Sequence, residues 1–132
     1  MATKKFLSAG ILLLSLILSV MTVQANGVNV YMSAINMSYA RFNSAQTVAD
    51  ASKALASMRA AAVAAKAKKP SGLENAAPNN PKLRAYYAEM DKLIAEIDKT
   101  NNLVKAGKIV QAKAEGKKIL QLRDEGHKAM RQ

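Results

Sequence analysis

Apolar residues in this chain return every three or four positions in four separate blocks, and each block reads as one helix with a single buried stripe. The first is Val28–Ser44, with Val28, Met32, Ile35, Tyr39 and Phe42 on its stripe and Asn26 near its cap. The second, Val48–Lys68, carries Val48, Ala51, Leu55, Met58, Ala62 and Ala65. The third opens at Pro81 and carries Leu83, Tyr86, Met90, Leu93, Ile97, Thr100 and Val104. The fourth, Ile109–Arg131, carries Ile109, Ala112, Gly116, Ile119, Arg123, His127 and Met130.

The breaks between blocks have recognisable chemistry. Asn43-Ser44 closes the first helix. Pro81 stands where its missing N–H does no harm, with Asn80 as the cap before it. Gly107 stops the third helix after Lys105, and Lys108 follows at once. So short a turn makes the third and fourth helices antiparallel neighbours. The one long connection, residues 69–80 (KPSGLENAAPNN), is rich in breakers. It is longer than a helix pair needs, as functional loops often are. Leu73 is its one large apolar residue, available to dock on the helices beneath. The fold class is therefore all-α, an antiparallel up-down-up-down four-helix bundle.

The first 25 residues do not belong to that bundle. Lys4 and Lys5 precede an apolar run, AGILLLSLILSV, and Val23-Gln24-Ala25 is a small-residue cleavage site. The run is too short for the roughly 20 residues that span a bilayer, so it reads as a cleavable secretory signal peptide. The expected division is signal peptide 1–25 and helical domain 26–132, exported to the periplasm by the general route. The mature chain should have no membrane span and should be a monomer.

Composition narrows the chemistry. There is no cysteine, which excludes disulfides, cysteine-held zinc or iron–sulfur clusters, and covalent haem attachment. There is one histidine, His127. Removing Lys4 and Lys5 from the 20 basic residues leaves 18 against 9 acids, a net charge of +9. Export removes most nucleic-acid partners, and aromatics are not interleaved with the lysines, so no nucleic-acid binding is expected. Glu89 and Asp98 stand beside lysines and read as solvated charge. No catalytic constellation is visible, so the chain reads as a non-enzyme.

Up-down-up-down topology returns the chain to the end where it began. Met32 lies four residues into the first helix and His127 four residues before the end of the fourth, each roughly 6 Å along its axis. Both are on inward stripes, so they should face each other at one depth. Arg123 is one turn from His127 on the same face. The same end collects the alanine-rich wall around Met58, then Tyr86, Met90 and the long loop. Gly116 and Gly126 interrupt the fourth helix, consistent with close approach of a bulky group or with simple tolerance. Read on these residues alone, two possibilities stay open. One is a haem held between thioether and imidazole, with Arg123 able to pair with a propionate. The other is a bundle in which Met37, Met58, Met90 and Met130 fill the core and the histidine is ordinary.

The sequence resembles the soluble periplasmic cytochrome b562 family. The resemblance rests on Met32, on Met58-Arg59-Ala60-Ala61-Ala62, and on Leu73-Glu74 followed by Pro78 and Pro81. Ile97-Asp98, Gly107-Lys108 and Arg123-x-x-x-His127 complete it, and it covers nearly all of the mature chain. It implies one non-covalent haem b, with Met32 and His127 as axial metal ligands. It also implies propionate contacts from Arg123 and Arg131. Tyr86 and Met90 stand where the family packs phenylalanine on the haem, and Met58 completes the expected cofactor-binding set. Ser71 follows Pro70 where a second proline is expected. The implied function is periplasmic electron transport with an unidentified redox partner; the net charge, and not the resemblance, raises an acidic partner as one option. The alternative is a haem-free basic helical binding module or chaperone-like adaptor.

Overall fold

The computed structural model describes residues 27–131, and the segment assigned to the signal peptide lies outside them. Four helices follow in order: α1 Val28–Ser44, α2 Val48–Ala67, α3 Pro81–Lys105 and α4 Ile109–Arg131. No strand occurs among the described residues. Close backbone packing runs between neighbours in sequence, α1 with α2, α2 with α3 and α3 with α4. The bundle is the expected antiparallel one.

Local chemistry explains the helix ends. Asn80 Oδ1 accepts from the backbone N–H groups of Lys82 and Leu83, capping α3 in front of Pro81. Thr47 Oγ1 accepts from the Asp50 N–H and caps α2. At the end of α3, Gly107 takes φ +78°. Its N–H then reaches Val104 O, and the Lys108 N–H reaches Leu103 O, each at 2.9 Å. These paired bonds satisfy carbonyls that the helix end would otherwise leave open. Helix α1 begins at Val28, as its periodicity requires. Its cap is Gly27, which makes no side-chain cap bond, and Asn26 lies outside the described residues.

The α3 stripe is buried as the periodicity requires, from Leu83 through Tyr86, Met90, Leu93, Ile97 and Thr100 to Val104. The α2 stripe is buried from Ala51 to Ala65, but Val48, the first residue of that helix, is substantially exposed. In α1 the buried set is Ile35, Ser38 and Phe42. Met37 is 59% exposed and fills no core. It follows Met32 by five positions, which turns it well away from the inward stripe. Leu73 packs on the core from the long loop.

The two ends of the bundle are built differently. Where α1 meets the first half of α4, a Cβ placed on Gly116 would lie 2.7 Å from the Phe42 ring. Of the two explanations for this glycine, close approach therefore holds, and the bulky neighbour is Phe42. Beyond Ile119 no described residue of α4 is fully buried. From there toward the open end, residues of α1 and α4 line a cleft.

Candidate functional site

The cleft that α1 and α4 line measures about 500 Å³, within the roughly 300–1,000 Å³ usual for small-molecule sites. Helix α1 supplies Met32, and α4 supplies Leu122, Arg123, Gly126, His127 and Met130. The floor comes from Tyr86, Glu89, Met90 and Leu93 of α3, and the loop from Lys68 to Ser71 closes the end. Met32 is half-buried and His127 is exposed. They reach the cleft from opposite helices and opposite ends of the chain, with 94 residues between them.

Five residues expected to serve a cofactor, Met32, Tyr86, Met90, Arg123 and His127, thus line one cleft. Met58 does not. It is fully buried in the core, and its small neighbours Ala61, Ala62 and Ala65 pack there with it, away from the cleft. Arg131 is the last helical residue of α4, one turn beyond His127.

The polar groups of the site are tied to backbone and to one another. The Tyr86 hydroxyl donates to Ala65 O, with Lys68 O also within reach at 3.3 Å, fastening α3 to the end of α2. Burial, with a smaller contribution from Tyr87, pushes this phenol up to about 12, so it stays protonated as a donor. Arg123 Nη1 donates to Asn36 Oδ1 at 2.8 Å, a strut from α4 to α1. Its Nε and Nη2 donate to Asp124 Oδ1 at 3.0 and 2.8 Å. Lys69 Nζ donates to Ala76 O and the Gly72 N–H donates to Glu74 Oε2, which hold the loop in shape.

Two site residues escaped the sequence reading. Glu89 is not a solvated charge. One carboxylate oxygen pairs with Lys92 at 3.1 Å, and the other, Oε2, is buried in the cleft wall without a hydrogen-bond partner. Its spacing carried the signal, because Glu89 lies three residues after Tyr86 and four before Leu93, on their face of α3. Asn36 follows Ile35 on α1, and nothing in the sequence pairs it with Arg123. Asp98 does behave as surface charge, paired with Arg59 at 2.7 Å across the α2–α3 seam.

The donor set suits one planar, largely apolar group carrying a metal. It offers one imidazole, the thioethers of Met32, Met90 and Met130, apolar walls, and bases at the rim. At Gly126 the nearest atom to an added Cβ is Glu89 Cβ at 3.8 Å. A methyl group there would meet α3 at ordinary contact distance. A thioether and a neutral imidazole can ligate iron together, and neither can hold a divalent ion by charge. Among the described residues no cluster of histidine and carboxylates could hold a bare metal ion.

A sequence model of the family described as cytochrome b562 matches residues 27–131, the described chain from end to end. The chain belongs to the cytochrome b562 family. The up-down-up-down bundle is the topology for which cytochrome b562 is itself a standard example. Members are electron-transfer haemoproteins that bind a non-covalent b-type haem. That is the planar, metal-bearing group the cleft would accept. No helix among the described residues is long and apolar enough to cross a membrane.

Proposed function

We propose that this chain is a periplasmic one-electron carrier in which Met32 and His127 take the two axial positions of one haem b. The observation that carries this reading is the placement of the two residues. A thioether from the first helix and the only imidazole, from the last, line one apolar cleft. The bound iron supplies a one-electron couple between its ferric and ferrous states. The remaining work belongs to the chain. Met90, Leu93, Leu122 and Met130 exclude water from the ring. Tyr86, fixed through its hydroxyl, holds the α2–α3 wall in place. Arg123 bridges α4 to α1 through Asn36, and Arg123 and Arg131 are the bases assigned to the propionates.

With both axial positions filled by side chains, no position remains for substrate, so the protein is a carrier and not an enzyme. The leader at 1–25 supports export, and residues from 26 onward form the haem-binding domain. The redox partner meets the open end, where Lys68, Lys69 and Arg123 favour an acidic surface.

The test is a haem titration followed by absorption spectroscopy. The mature protein should bind one haem and give the sharp reduced bands of a six-coordinate iron. Met32→Ala and His127→Ala should each weaken binding by more than the roughly 10–100-fold typical of losing a group that only supports a metal ligand. Haem affinity unchanged in both variants would remove the axial assignment. Amino-terminal sequencing of protein from the periplasmic fraction tests cleavage before Asn26.

A further inference from the structure

The net positive charge is shared between the two ends of the bundle, and the ends differ in how many acids stand among the bases. At the open end the bases are interleaved with acids. Lys66 pairs with Asp91, Lys92 with Glu89 and Arg123 with Asp124, while Glu74 and Glu125 lie close by. The opposite end is made of the α1–α2 and α3–α4 turns, which the Phe42–Gly116 contact brings together. Residues 41–53 and 105–113 there carry Arg41, Lys53, Lys105, Lys108 and Lys113, five bases against the single acid Asp50. Among the described residues none of these six side chains takes part in an ion pair.

The same end also presents the most exposed large apolar side chain of the described chain. Val110, in the first turn of α4, is 85% exposed and stands between Lys108 and Lys113. Val48, in the first turn of α2, is also exposed. A soluble acidic partner or a nucleic acid needs the charge alone. A bilayer surface uses both features, since the bases meet anionic headgroups and the valine enters the boundary beneath them.

We propose that the closed end of the bundle is a docking face for an anionic phospholipid surface. Bound this way, the long axis stands on the membrane and the cleft opens away from it, free to meet a redox partner. Each basic residue near an anionic bilayer adds roughly fivefold to binding, so the patch is a reversible anchor. The proposal stands on charge and topology and does not depend on the axial ligand assignment.

The natural chain has no cysteine, so a single thiol can carry an environment-sensitive fluorophore. In haem-loaded mature protein, a label at Val110→Cys should shift to the blue on vesicles of equal parts phosphatidylcholine and phosphatidylglycerol. It should not shift on pure phosphatidylcholine. The same label at Lys82→Cys, at the open end, should not shift on either. Reversing Lys105 and Lys108 to glutamate should reduce sedimentation with the anionic vesicles by more than roughly 25-fold, with the haem spectrum unchanged. No response at position 110, or an equal response at position 82, overturns the proposal. Vesicle binding untouched by the charge reversal also overturns it. Retention on polyglutamate without vesicle binding would assign the face to an acidic protein instead.

Discussion

One pair of helices, α1 and α4, is built in two opposite ways along its length. At the closed end Phe42 is completely buried, and Gly116 is a glycine because the ring lies where its side chain would be. At the open end Gly126 has nothing closer than ordinary contact, and the helices are joined across the cleft by the Arg123–Asn36 strut. A glycine costs about 1 kcal/mol against alanine inside a helix. At Gly116 that cost is offset by packing within the chain. At Gly126 nothing in the polypeptide offsets it, as expected where a bound group comes close. One end is completed by the protein alone, and the other by what it binds.

Substitutions should separate the ends. The largest effect is expected from Phe42→Ala, which removes the ring that joins α1 to α4 and should cost about 3–5 kcal/mol in urea unfolding of the haem-free protein. Gly116→Ala forces a methyl against that ring and should cost about 1–3 kcal/mol with little change in haem affinity. Gly126→Ala should do the reverse. It should leave haem-free stability unchanged or raise it by up to about 1 kcal/mol, while weakening haem binding because Gly126 lines the cleft. If both alanines acted alike, the contrast between the ends would be wrong.

The smallest effect concerns pH. Glu115 sits beside Lys99 and Lys118 on the α3–α4 seam, and chiefly the Lys99 contact holds its carboxyl down to about 2. A lowered carboxyl favours the folded state above its ordinary value of 4.5, and that contribution fades as pH falls from there toward about 2. Burial, and then Glu115, pushes the neighbouring Glu96 up, so its contribution has the opposite sign and is lost as pH rises. Glu115→Gln should therefore lower the urea midpoint at pH 7 and leave it nearly unchanged at pH 2. A difference of equal size at both pH values would mean that the carboxylate charge is not what Glu115 contributes.

Much of the fold was legible because helices report their inward face through spacing. The seven stripe positions of α3 are all buried, and the caps at Asn80 and Gly107 have single-residue signals with local causes. Depth along a helix was legible too, since rise per residue is constant; this is why Met32 and His127 could be paired before any coordinates. Contacts across helices were less legible. Spacing shows that Gly116 and Phe42 both face inward, but not that they touch. It puts Met58 on the inward face of α2 without revealing that the core, and not the cleft, takes it. Charge next to lysine suggested solvent for Glu89, yet helical phase placed one of its oxygens inside the site.

The cleft lies between the first helix and the last, and this has a mechanical consequence. A ligand gripped there would staple the two termini together and turn an open hairpin of hairpins into a closed loop. If Met32 and His127 hold the iron as proposed, force applied at the chain ends would load those two bonds before any helix could peel away. Without the ligand, the same pull would meet the Arg123–Asn36 strut and the Phe42 contact behind it.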